Sequence, residues 1–160
     1  MIGPDARLDL QRRARLGMVE AVWGQHKTAE QIVAVLRGFA SAGEVALVTR
    51  VEPDKAAQVF KVLPDVVFHP DARCITYGTI PPNPAPPADV VVLSGGSSDR
   101  TVVAEATLAL RCHGIGVQAV MDVGVAGLHR LLDQLPKLTG ARVLIACARM
   151  AGALPTGLTG

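Results

Sequence analysis

Two patterns of apolar positions run along this chain, and a proline-rich stretch divides them. Ahead of it, residues 7–15 read as a basic helix. Thr28 stands three residues before Gln31, the spacing at which each side chain of a capping box satisfies a free backbone N–H of the other. Ile32, Val33, Val35, Leu36 and Phe39 then recur on one face of a helix that ends near Gly43. A short strand over 45–48 follows. Pro53 opens another helix, with Ala56, Ala57, Val59 and Phe60 on its buried side. Residues 66–68 and 74–77 read as two further strands. The order α-α-β-α-β-β predicts a small α/β domain over residues 1–80.

Residues 80–87 hold five of the eleven prolines. Proline fixes φ and donates no hydrogen bond, so 81–87 can be neither helix nor inner strand and reads as a semi-rigid linker. Beyond it, residues 90–93 are a continuous apolar run, the mark of a parallel strand buried on both faces. A Gly/Ser turn, a helix over 99–113, a strand over 117–121, a helix over 125–135 and a strand over 143–148 follow. This β-α-β-α-β alternation predicts a doubly wound parallel sheet over residues 88–160. Three strands and two helices are few for such a sheet, and the expectation is an incomplete domain, C-terminally truncated.

Composition narrows the function classes. Sixteen Lys and Arg against 14 Asp and Glu leave a net charge of +2, which disfavours a nucleic-acid-binding face. Aromatic residues make up only 3%, so platforms for stacking bases are scarce. Cys74, Cys112 and Cys147 form no CxxC pattern and read as small buried residues; with no apolar leader or spanning segment, the expectation is a cytoplasmic protein without membrane contact. His69 and His113 have no partner at metal-ligand spacing, so no structural metal is expected.

Ligands of a doubly wound sheet bind beyond the carboxyl ends of its strands. Three turns lie there. The first is Gly95, Gly96, Ser97, Ser98 and Asp99, where glycines admit a ligand to the backbone and a helix start favours phosphate. Its plainer reading is a helix cap by Ser98 or Asp99. The second runs from Asp122 through Gly124 and Gly127 to His129 and Arg130, a proton-transfer group beside an anion-gripping one. Its plainer reading is a solvated basic helix face. The third holds Gly152, Leu154 and Pro155, and reads equally as an ordinary connection. In the first half, Lys27 and Arg50 are potential anion contacts, or simply surface charge.

The stretches 17–24, 27–28, 48–50, 69–73, 95–99, 121–130 and 150–155, taken in order, resemble the LarB family of nickel-pincer cofactor biosynthesis. The second half also resembles the carboxylase domain of the PurE family, which acts on aminoimidazole ribonucleotide. The resemblance implies a PurE-like sheet in a three-layer αβα arrangement. It implies carboxylation of the pyridinium ring of nicotinic acid adenine dinucleotide and cleavage of its phosphoanhydride, giving pyridinium-3,5-biscarboxylic acid mononucleotide and AMP. In that family a cysteine adds to the ring before CO2 is attacked. CO2 or bicarbonate is then the co-substrate, no cofactor is firmly implied though Mg2+ is a candidate, and the protein is a homo-oligomer, an octamer among related proteins.

The residues that carry over are Asp99 and His129 as catalytic candidates. Gly95, Gly96, Ser97, Ser98, Asp122, Gly124, Gly127, Arg130, Gly152, Leu154 and Pro155 carry over as substrate contacts. The family's nucleophilic cysteine matches none of the three here, and Ala151 stands where the family has Glu. The expectation is therefore a LarB-type chain inactive by itself. Two alternatives remain: a nucleotide-binding module without catalysis, and aminoimidazole ribonucleotide carboxylation.

Overall fold

Two separate sheets organise the protein, described by a computed structural model for residues 9, 12–124, 128–148 and 154. They fall in two units, Met1–Ile80 and Pro81–Gly160. The first unit comprises α1 (Arg12–Leu16), β1 (Ala21–Trp23), α2 (Ala29–Ser41), β2 (Ala46–Thr49), α3 (Pro53–Val62), β3 (Val67–His69) and β4 (Cys74–Tyr77). Its strand order is β1-β2-β4-β3, with β1 parallel to β2 and β4 antiparallel to both of its neighbours.

Both bonds of the capping box form. The Gln31 N–H donates to Thr28 Oγ1 at 3.2 Å, and the Thr28 N–H donates to Gln31 Oε1 at 2.9 Å. The α2 face bearing Ile32, Val35, Leu36 and Phe39 is buried against Val48, Val51, Val59 and Ile75. Helix α3 buries less than its sequence suggests. Ala56 and Val59 point inward, while Ala57 is exposed and Phe60 is 55% exposed, because the two inward residues already span the width of the seam. Strand β1 was not legible as a strand: three residues with one buried position are too short for a period to declare itself.

The second unit contains β5 (Val90–Ser94), a 3₁₀ turn (Ser97–Asp99), α4 (Arg100–Cys112), β6 (Val117–Val120), α5 (Leu128–Leu132), α6 (Leu135–Leu138) and β7 (Val143–Cys147). All three strands are parallel, in the order β6-β5-β7. Strand β5 is buried throughout. Val90 and Val92 pack with Val103 and Val117 on one face; Val91 and Leu93 pack with Val120, Val123, Leu131 and Leu154 on the other. This is the mixed α/β, three-layer arrangement of a PurE-like sheet. The single helix expected over 125–135 is instead two short ones within its described part. The break falls at Asp133 and Gln134, ahead of Pro136, whose ring and missing N–H favour a new helix start over continuation.

Residues 81–87, expected as a linker, lie along the second unit. Asn83 grips the backbone of Val117 at both ends: its Nδ2 donates to the carbonyl and its Oδ1 accepts from the N–H, each at 3.1 Å. Pro81, Pro84 and Pro87 lie 3.5–3.7 Å from where a Cβ would stand on Gly114, Gly116 and Gly140. Among the described residues no helix is long and apolar enough to cross a membrane.

Asn83→Ala removes both bonds at the start of β6 and is expected to cost about 1–2 kcal/mol, read from denaturant unfolding of the second unit. Cys112 is fully buried, and burial, partly offset by Arg111, pushes its thiol from 9.0 to about 11. The folded protein keeps that proton above the pH at which the unfolded chain releases it. Stability is therefore expected to fall as pH rises from about 9 to 11. Cys112→Ala should flatten this part of the curve relative to wild type, measured by thermal melts across that range.

Candidate functional site

Because β5 is covered on both faces, only its carboxyl end is free to meet a ligand, and its polar residues begin there. Ser94, the last residue of the strand, is fully buried and donates through Oγ to the Gly96 carbonyl at 2.7 Å. Two hydrogen bonds carry the ladder past the strand end. Gly95 N–H donates to the Cys147 carbonyl at 3.1 Å, and Val123 N–H donates to the Ser94 carbonyl at 2.9 Å. The carboxyl ends of β5, β6 and β7 are thus tied at one level. In the order β6-β5-β7 the chain leaves β5 on one side and returns on the other. The crevice of such a sheet opens at that reversal.

The glycines serve this convergence in two ways. A Cβ on Gly124 would stand 2.5 Å from the Gly95 carbonyl oxygen, so only glycine lets the loop after β6 press onto the loop after β5. A Cβ on Gly95 would meet Ala148 Cβ at 3.5 Å and Asp99 Oδ2 at 3.6 Å, ordinary contact distances. A methyl would therefore fit at Gly95, in contact with the Asp99 carboxylate.

Asp99 is 4% exposed. It occupies the N-cap position of α4 but makes no side-chain cap bond, so the helix-cap reading does not account for it. Among the described residues no hydrogen bond or ion pair satisfies its carboxylate. Among the described residues of the second unit, the side-chain atoms fully buried without a partner are Thr107 Oγ1, Arg111 Nε and Arg130 Nε, and the Asp99 oxygens are not among them. Ser97 and Ser98, just before it, are exposed, with their hydroxyls at the mouth of the loop.

The second expected turn divides. Asp122 is left-handed at φ 59 and pairs with Arg130, both partly exposed. This pair fixes the Arg130 guanidinium beside the end of β6 while leaving 43% of the side chain in solvent. His129 lies on the exposed surface of α5 and makes no side-chain hydrogen bond among the described residues; nothing links it to Asp99. Of the third turn, Leu154 is 2% exposed and packs with Val91, Leu93 and Val123. Its side chain is thus part of the core on that face of β5. Gly127, Gly152 and Pro155 lie outside the described residues.

One site residue went unrecognised in the sequence. Cys147 ends β7 in register with Ser94, is only partly buried, and lies close enough to Asp99 to sense its charge. Burial first, and the Asp99 carboxylate second, push its thiol upward, so it stays protonated. Its position at a strand end was the available signal. Cys74 and Cys112 are fully buried, as expected of core thiols. His69 bonds Thr76 Oγ1 at 2.9 Å and His113 the Ala109 carbonyl at 2.7 Å, which occupies both in local structure. No group of three metal-ligating side chains occurs among the described residues. In the first unit, Lys55 donates to the carbonyls of Gly24 and Gln25, and Arg50 has left-handed backbone at the end of β2.

Residues 2–79 match the LarB/PurE-like N-terminal domain. The chain is also similar to an uncharacterized protein of Methanocaldococcus jannaschii, 28% identical over 157 residues. That alignment covers 94% of this chain and 61% of the archaeal protein, so the chain spans under two thirds of its relative's length.

Gly124→Ala should drive the two loops apart, with a loss of about 2–3 kcal/mol in denaturant unfolding. Gly95→Ala should leave stability within about 0.5 kcal/mol, since its new methyl meets only ordinary contacts, yet fill the space beside Asp99. A Gly95→Ala protein as unstable as Gly124→Ala would show that the space is not there.

Proposed function

We propose, from the premise that the N-terminal unit of this chain belongs to the LarB/PurE-like family, that the end of the parallel sheet binds an anionic nucleotide and serves LarB-type chemistry. The reaction is carboxylation of the pyridinium ring of nicotinic acid adenine dinucleotide with hydrolysis of its phosphoanhydride. Its products are pyridinium-3,5-biscarboxylic acid mononucleotide and AMP, and CO2 or bicarbonate is the co-substrate. The observation that carries the reading is the meeting of three parallel strand ends at the Gly95–Asp99 loop, with Gly124 pressed onto Gly95 and the Asp99 side chain buried beside them.

In this reading each residue has a physical task. The Gly96 N–H, the hydroxyls of Ser97 and Ser98, and the start of α4 receive phosphate oxygens, since helix starts favour anions, while the Gly95 N–H is taken by the Cys147 carbonyl. Arg130, held by Asp122, offers a second anion contact through its exposed edge. Asp99 accepts a hydrogen bond from a ligand hydroxyl or amide, or lies against the positive ring; its burial makes that contact strong. His129, exposed on α5, is left to exchange protons with solvent rather than with Asp99. The same reading takes the protein to be a homo-oligomer. Val143 and Leu144, 50% and 39% exposed on the edge strand β7, are apolar surface that assembly would cover.

A second reading, a nucleotide-binding module without catalysis, is favoured by one observation: Cys147, beside Asp99, is held as the thiol and not the nucleophilic thiolate.

Calorimetry with nicotinic acid adenine dinucleotide, followed by chromatography of AMP with and without bicarbonate and with and without Mg2+, separates the readings. Binding is expected with this chain, and bicarbonate-dependent AMP release with a chain spanning the full length of its relative. Binding without AMP from that longer chain selects the second reading, and no binding at all removes both. Asp99→Asn should weaken binding by about tenfold or more, the scale of a lost hydrogen bond to a buried charge. Aminoimidazole ribonucleotide serves as the comparison ligand, and preferential turnover of it would place the chain with PurE-type carboxylation.

A further inference from the structure

Helices α2 and α3 meet over the core of the first unit, yet an open groove of about 720 Å³ remains between them. Its floor belongs to α2: Ala29 and Val33 stand four residues apart, and Ala34 and Gly38 likewise. Such spacings form adjoining rows along a helix, and three of these four residues are Ala or Gly, so a second backbone can come close. From Ala29 to Gly38 the helix runs about 14 Å, two to three turns. Val62 of α3, 51% exposed, adds apolar surface at the rim.

The rim is charged with one sign. Arg37 on α2 and Lys61 on α3 both line the groove, and among the described residues neither side chain makes a hydrogen bond or ion pair. Glu30, the acid on the lining, is engaged at the start of its own helix, where the Glu30 N–H and the Thr28 hydroxyl hold its carboxyl below the usual carboxylate range. Lys55 and Arg73 of the same unit, by contrast, are occupied by the Gly24 and Gln25 carbonyls and by Glu52. The groove thus joins an apolar floor to an unpaired cation on each wall.

We propose that this groove docks an acidic amphipathic helix of a partner protein. Its apolar residues lie along Ala29, Val33, Ala34 and Gly38, and Asp or Glu on its two flanks meet Arg37 and Lys61. Charge selects this occupant. A second copy of the chain, meeting the groove face to face, brings the same two cations against it, and like charges across an interface oppose assembly. A helix with neutral flanks covers the floor and leaves both cations unmatched. Nucleic acid matches the cations and leaves the apolar floor bare. All these residues lie in the first unit, so the inference is independent of the nucleotide reading.

The test uses the whole chain and two fluorescent synthetic peptides of about 18 residues, long enough to form helix. Both carry Leu along one face; the flanks are Glu in one and Lys in the other. Anisotropy is expected to show saturable, micromolar binding of the Glu peptide and at least about tenfold weaker binding of the Lys peptide, a preference that fades in about 0.5 M salt. Arg37→Glu combined with Lys61→Glu should reverse the preference, with circular dichroism unchanged because both side chains are exposed. Should that variant unfold, Lys61→Gln alone should still weaken the Glu peptide by about threefold. No binding of the Glu peptide, equal binding of both, or an unchanged preference in the folded double variant overturns the proposal. So does self-association that the double variant abolishes, which makes the occupant a second copy. Adsorption to phosphatidylglycerol vesicles that the double variant loses, with neither peptide bound, overturns it in favour of a lipid surface.

Discussion

Strand β5 is bonded on both edges and covered on both faces, and that enclosure sets the terms for the rest of the second unit. A strand so placed must be apolar along its length, because a buried polar side chain without a partner is costly. Polarity can return only where the strand stops, and here it returns at once, with Ser94. The ladder does not stop there: its last two bonds reach Cys147 and Val123, and pull the neighbouring strand ends to the same level. Glycine is what this convergence requires. The contact of Gly124 with the Gly95 carbonyl leaves no room for a methyl group.

The same enclosure explains why one carboxylate dominates the electrostatics. Asp99 follows a loop drawn in by the Ser94–Gly96 bond, so its side chain lies under the surface and is not spread over solvent. In water it would be an unremarked helix-cap residue. Burial of the Cys147 thiol pushes its pKa up, and the Asp99 carboxylate adds to that push. By contrast the Asp122–Arg130 pair is partly solvated, so its value is in placing the guanidinium and not in stability.

The first unit is built on different terms. Its sheet mixes one parallel and two antiparallel pairings, and its core is the α2 face closed by α3. The match of residues 2–79 to the LarB/PurE-like N-terminal domain agrees with the family strings in this part of the sequence. Charged residues of this unit have ordinary structural uses: Lys55 closes the loop after β1, and Arg73 pairs with Glu52.

The order of most elements, the parallel character of the second sheet and the Thr28 capping box were legible in the chain, because each rests on near neighbours: a period, a turn residue, a spacing of three. Strand β1 was not, being too short to show a period, nor was the break before α6, where one proline outweighed an otherwise helical stretch. Among candidate site residues, the run from Gly95 to Asp99 stands out because Gly, Ser and Asp cluster after an apolar strand. The burial of Leu154 and the place of Cys147 at the end of β7 were not legible, since nothing local separates a core leucine from an exposed one, or a core thiol from one at a strand end. The sequence by itself determined which segments are strands and helices and where polarity resumes. Only the tertiary structure decided which strand ends meet, that Asp99 is buried there, and that its charge reaches Cys147. Burial and electrostatic contact belong to residues brought together from about fifty positions apart, and no local pattern encodes them.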